Sequence, residues 1–311
     1  MLRHAQLRPV PTGRDERSEP VTHYNDDSSG AAAARGTLYV VGTPIGNLDD
    51  LSPRARDVLG RVSAIAAEDT RRTSGLLSTI GLKKPLIAFH EHNEDRRADG
   101  LLERLAQGES LAIVSDAGMP LISDPGWRLV ERALEAGIDV RAVPGPSAVT
   151  AALSVSGLPT DRYVFEGFLP RRAQARDARL EALAAEERTL VFFESVHRMP
   201  ETIAALVRAF GADRRACVGR ELTKVHEQVF RGSLETVAAA LGTSIPLLGE
   251  FVLVIEGRAA GGDASALDVK RVFDVLRREL PPGRAAALTA ELTGVSRNEV
   301  YKLAKFDDER S

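Results

Sequence analysis

Between Thr37 and Pro146, five short apolar runs alternate with stretches of helical period. The runs are "TLYVV", "SAIAAE", "PLIAFH", "SLAIVS" and "DVRAV". Strands separated by amphipathic helices predict βαβ units and a mainly parallel sheet, because parallel neighbours need a crossover. "SPRARDVLGRV" carries start signals for one such helix, with Ser52 as N-cap and Pro53 at its first position.

The pattern loosens after "PSAVTAALSVSGLP". "RYVFEGFLP", "RTLVFFES", "RACVGREL", "EQVFRGSL" and "GEFVLVIEG" read as strands, with helices around 173–187 and 200–210. Several connections are short enough for antiparallel neighbours, which predicts a mixed second sheet. The domain reading is a disordered extension over 1–35, an α/β domain over 36–148, a second over 149–258 and a helical tail over 265–311. Before the tail, "RAAGGDASA" has linker composition. Its last two helices meet at "TGVS", like a helix-turn-helix, though a small bundle would read the same way.

The 311 residues carry a formal charge of −3, which gives no global sign of nucleic-acid binding. Cys217 is the single cysteine, so an intrachain disulfide and a cysteine-based zinc site are both excluded. No apolar run is long enough to span a bilayer, and the first residues lack a signal core. A cytoplasmic location with no membrane partner is the expectation.

In open parallel sheets ligands bind beyond the carboxyl ends of strands, and three exits here are built of small residues. "VGTPIGNLDD" is neither a Walker loop nor GxGxxG, so it does not point to a nucleoside triphosphate or a dinucleotide. "SDAGMPLISDPG" offers Ala117 and Gly118 for close backbone approach, and Asp116 as an acceptor for a hydroxyl or an ammonium. In "PGPSAVTAAL", Ser147 can cap a helix beginning at Ala148. Each alone suits a tight turn; three from one sheet point to a shared ligand.

Other polar clusters remain open between structural and site roles. His90 and His92 share a face if their strand continues, and suit hydrogen bonding at a cleft rim better than a metal. Glu194, His197 and Arg198 in "FFESVHR", and Arg220, Glu221, Thr223 and Lys224 in "RELTK", could be ion pairs or site residues. Arg172, Arg176 and Arg179 recur at helical spacing beside Arg171, giving either a solvated face or a phosphate contact.

Nine strings then fall in one order: "TPIGNLDD", "AAEDTRRT", "HEHNE", "SDAGMPLISDPG", "PGPSAVTAAL", "GLPTDRYVFEGFLP", "ESVHR", "RELTK" and "GEFVLVIEG". Together they resemble the cytidine 2′-O-methyltransferases of small-subunit (16S) ribosomal RNA, which act in the decoding centre and fall in the tetrapyrrole methylase superfamily. The resemblance implies two α/β domains with S-adenosylmethionine in the cleft between them, and a homodimer. It assigns Asp116, Ala117, Gly118, Met119, Ser147 and Ala148 to the cofactor, with Pro44 and Ile45 closing one side. Candidates for catalysis are Glu194, Glu221, Lys224 and His92; for RNA contact, Arg171, Arg172, Arg176 and Arg198; no metal is implied. Arg172 stands where the family pattern has Lys, which keeps a phosphate contact and removes a possible base. Two other readings are a tetrapyrrole C-methyltransferase on the same fold and a non-catalytic nucleic-acid-binding module led by the tail.

Overall fold

The computed structural model describes residues 35–259 and 266–305. The expected disordered extension and most of the linker lie outside the described residues. Five strands form the first sheet: β1 (Thr37–Val41), β2 (Ala64–Ala67), β3 (Leu86–Ala88), β4 (Leu111–Val114) and β5 (Asp139–Val143). Their order is β3-β2-β4-β1-β5, and every pairing is parallel.

Four helices cover this sheet: α1 (Pro53–Arg61), α2 (Thr70–Thr79), α3 (Glu94–Ala106) and α4 (Trp127–Glu135). Ser52 accepts from the Ala55 amide and Pro53 opens α1, as the start signals predict. Alternate strand residues go to opposite faces. Tyr39, Val41, Ile65 and Val114 pack on α1 and α2, whereas Leu38, Ala66 and Ile113 pack on α3 and α4. Burial on both faces explains the unbroken apolar runs of β2 and β4, whereas β5 at the edge carries Asp139 and Arg141. The chain leaves β1 toward α1 on one face and leaves β4 toward α4 on the other. Adjacent β1 and β4 therefore form a topological switch point, where such sheets open a crevice.

The crossing to the second half is α5 (Ala148–Ser156). Beyond it lie β6 (Tyr163–Phe168), α6 (Ala173–Leu183), β7 (Thr189–Ser195), α7 (Met199–Phe210), β8 (Arg215–Arg220), β9 (Gln228–Ser233), α8 (Leu234–Ala240) and β10 (Glu250–Ile255). The order is β6-β7-β10-β8-β9; β6 and β7 are parallel and the other pairs antiparallel, so the sheet is mixed. Helices α6, α7 and α8 bury one face. The other face packs Val191, Cys217, Val252 and Val254 on α5, with Ile45 from the β1 exit in the same apolar cluster.

Three helices follow: α9 (Ala266–Arg277), α10 (Pro282–Thr293) and α11 (Arg297–Lys305). They share a core of Val269, Phe273, Ala285, Ala286 and Val300. Gly294 ends α10 at φ 74°, and Ser296 with Glu299 forms a reciprocal cap on α11. Among the described residues, no helix is long and apolar enough to cross a membrane.

Two expectations fail locally. β3 ends at Ala88, so His90 and His92 do not lie on a strand; their rings meet edge-on in the turn before α3. The arginine stripe breaks at Arg176, which is 5% exposed and bonds to Asp177 and Glu201. It turns inward because α6 buries that face, also through Leu180 and Leu183, so the Arg176 charge is spent on internal ion pairs and not presented at the surface.

Candidate active site

Between the two sheets opens a cavity of about 540 Å³, within the range of small-molecule sites. Its first wall is backbone from the switch point. The β1 and β4 exits pair once more past the strands: the Thr43 amide donates to the Gly118 carbonyl (2.9 Å) and the Gly118 amide to the Thr43 carbonyl (3.1 Å). Gly118 sits at φ 83°, a conformation that glycine adopts without strain. Leu121 (φ 73°) and Ser123 (φ 66°), further along the β4 exit, take the same left-handed region at a steric cost.

Carboxylates gather on this wall. The Asp116 Oδ1 accepts from the Asp69 amide (3.0 Å), its Oδ2 lies 3.3 Å from Arg72, and its own amide donates to Glu68 (3.3 Å). Asp124 completes the group. Burial pushes its carboxyl up to about 6; a hydrogen bond from Ser115 opposes that shift, and the charges of Glu68 and Asp116 add to it. Three acids and one exposed arginine make a wall suited to a cation. At its side, Ser147 is the N-cap of α5 but makes no side-chain bond to the first turn, leaving those amide groups uncapped by it.

Ile45, Asp116, Ala117, Gly118, Met119, Ser147 and Ala148 all line the cavity, as does Glu194. Pro44, His90, His92, Glu221, Lys224, Arg171, Arg172 and Arg198 do not. Glu194 is 2% exposed and fully occupied: it accepts from the Ser195 amide (2.8 Å) and from the Thr202 hydroxyl (2.6 Å), with Arg198 at 3.5 Å. Arg198 donates to the carbonyls of Leu169 (2.9 Å) and Pro170 (3.1 Å), so it braces a loop instead of presenting a free charge.

Lys224 bonds Glu221 (2.8 Å) and Glu250 (3.0 Å). Burial pulls its ammonium down, but the two carboxylates outweigh that and raise it, while the Lys224 bond holds the Glu221 carboxyl below the usual range. This loop also touches the first half, where the Asn47 amide donates to Thr223 Oγ1 (3.1 Å). Lys224 Cγ packs so close to Gly46 that a Cβ there would lie 2.3 Å away.

Sequence reasoning missed Glu68, Arg72, Asp124, Phe168 and Phe193 as cavity residues. All five lie inside strings already singled out. The signal for Asp124 was the second Ser-Asp step of "SDAGMPLISDPG", which folds back beside the first.

Residues 37–238 match the family described as Tetrapyrrole (Corrin/Porphyrin) Methylases, and 263–304 match the one described as RsmI C-terminal HTH domain. The chain is 51% identical over 267 residues to "Ribosomal RNA small subunit methyltransferase I" of Xylella fastidiosa, covering 86% of this chain and 98% of that protein. With the protein of the same name from Escherichia coli O157:H7 it shares 44% over 283 residues, covering 91% and 97%. Among solved structures, uroporphyrin-III-C-methyltransferase from Thermus thermophilus aligns at TM-score 0.52 and 21% identity, covering 71% of this chain and 94% of that one. Diphthine synthase aligns at TM-score 0.55 and 14% identity, covering 72% and 91%; both likenesses concern the fold alone. The switch-point cleft between two sheets, the family match over most of the chain and the near full-length identity together make this chain a member of the tetrapyrrole methylase family, alongside the ribosomal RNA small subunit methyltransferase I proteins.

Proposed function

We propose that the protein methylates the 2′-hydroxyl of a cytidine in small-subunit ribosomal RNA, with S-adenosylmethionine as donor. The observation that carries this reading is identity across almost the whole length of proteins named for small-subunit ribosomal RNA methylation. The nine strings in family order support the ribose position and the base. The cavity fits the donor: its wall carries no side-chain bulk at Gly118, beside the carboxylates of Glu68, Asp116 and Asp124.

S-adenosylmethionine supplies a methyl group on a positively charged sulfur and leaves as a neutral thioether. Asp116 and its neighbours would hold the cationic end, and the backbone of residues 117–119 with the start of α5 would take the polar groups. Lys224 is held protonated and Glu194 is occupied by its own partners, so neither is suited to accept the hydroxyl proton. With solvent water left to take the hydroxyl proton, the rate enhancement would rest mainly on alignment of the ribose oxygen with the methyl carbon.

A homodimer belongs to the same reading. In its support, Trp127 and Leu134, seven residues apart on one side of α4, are 55% and 58% exposed. A ribosomal substrate also implies a cytoplasmic location.

The test is transfer of a labelled methyl group to purified small subunits lacking the modification, followed by alkaline hydrolysis. Label retained at one cytidine that resists cleavage is the expected result. Confirmed donor binding with no transfer to subunits would overturn the proposal.

A further inference from the structure

The second wall of the cavity carries aromatic rings, with its carboxylates Glu194 and Glu250 paired to Arg198 and Lys224. Phe168, at the end of β6, is 55% exposed although large and apolar, and it lines the cavity. Its ring meets Phe193 edge-on at 5.7 Å, and Phe193 meets Phe165 in the same way at 5.0 Å. The ring is therefore braced from behind while more than half of the residue stays open.

A bulge puts it there. In an unbroken strand, residues 165 and 168 point to opposite faces. The β6–β7 register shifts between Phe165 and Gly167, so Phe165 pairs with Val191 and Phe168 with Phe193, bringing both rings to one face. Glu166, the extra residue, is tied down by Arg179 at 2.7 and 2.8 Å. Gly167 sits at φ 63°, where a Cβ would lie 2.7 Å from Ser123 Oγ, so the bulge runs directly beneath the strained loop of the first half. Bulges next to active sites commonly re-aim a side chain.

The chain beyond Phe168 is held with equal care. Arg198 clamps the carbonyls of Leu169 and Pro170 and is backed by the buried Glu194. Next come Arg171 and Arg172, both exposed and without an ion pair among the described residues. Four residues of chain span at most about 14 Å, so the backbone of both arginines stays within that distance of Phe168.

We infer that Phe168 is the platform on which the base of the target nucleotide stacks, with Arg198 as the residue that positions it. The inference rests on the reading of ribosomal RNA as substrate. A nucleotide can enter a concave cleft only when splayed from its neighbours, and its base then needs a replacement for the lost stacking. The acidic wall repels phosphate, so the backbone of the RNA is drawn to the side carrying Arg171 and Arg172.

The experiment compares Phe168→Ala, Phe168→Leu and Phe168→Tyr for binding of unmodified small subunits, methyl-transfer kinetics and donor affinity. Loss of one stacked base predicts about 10- to 100-fold weaker subunit binding and a matching rise in KM for Phe168→Ala. Donor affinity is unchanged. The slope of affinity against salt is also unchanged, since no phosphate contact is lost. Phe168→Tyr restores binding; Phe168→Leu, apolar but without a π-face, does not. Arg198→Met raises KM in the same direction with donor affinity intact.

Wild-type subunit affinity in Phe168→Ala, full rescue by Leu, or a shift in sedimentation showing loss of a contact between copies would each overturn the platform. These results leave the methylation reading standing. Wild-type protein that methylates no small subunit overturns that reading first and the platform with it.

Discussion

Gly42 and Gly145 approach so closely that a Cβ on Gly42 would lie 2.7 Å from Gly145 Cα, and one on Gly145 would lie 2.8 Å from Gly42 Cα. The β1 and β5 exits cross there, with Met119 Sδ also 2.7 Å from the Gly42 position. Gly42→Ala is expected to lower stability by about 1–3 kcal/mol, the usual cost of overpacking. It should also weaken donor binding by displacing Met119. Gly145→Ala meets the same contact, so the double variant should lose less than the sum of the two. Urea unfolding of the three variants, with calorimetric donor titrations, checks both points.

The Asp124 carboxyl lies at about 6, above its ordinary 3.8, so the unliganded fold favours its protonated form. That contribution to stability is complete below pH 3.8 and is lost as the pH rises through about 6. Donor affinity should run the other way, because ionised Asp124 joins Glu68 and Asp116 against a cation, with Arg72 the opposing charge. Asp124→Asn is expected to stabilise the unliganded protein at neutral pH, flatten the stability change over that window and weaken donor binding. Melting curves and donor titrations on either side of pH 6 decide it; a variant with wild-type pH dependence would count against the assignment.

Lys224 keeps two carboxylates together, since Glu221 and Glu250 both bond its ammonium. Lys224→Gln should cost roughly 1–2 kcal/mol of stability, between the values for exposed and buried pairs. As Lys224 stays protonated through neutral pH, the pH–rate profile of the variant should keep the shape of the wild type. Loss of an alkaline-side limb would instead identify Lys224 as a proton acceptor.

Arg172 and Arg176, one helical turn apart, should behave differently. Arg172→Ala removes an exposed charge and should reduce the salt slope of subunit binding by about one. Arg176→Ala leaves Asp177 and Glu201 without their buried partner and should lower the melting temperature while keeping the salt slope. Filter binding over a range of salt, beside melting curves, separates the two.

The sequence by itself determined the order of strands and helices, the parallel first sheet and mixed second sheet, and the three small-residue exits that became the first wall. These follow from local rules: apolar period, capping residues such as Ser52 and Pro53, and glycine where backbone comes close. Tertiary structure alone decided which charges face the cavity. Arg176 and Arg172 share a helical spacing, yet α6 buries one and leaves the other in solvent. Glu194 stands in "FFESVHR" as a candidate for catalysis, and the fold surrounds it with Ser195, Thr202 and Arg198. Strand alternation alone would set Phe168 opposite Phe165, and the bulge at Glu166 turns it to the face of Phe193. In each case the deciding contact joins residues from different elements, and spacing along the chain carries no record of it.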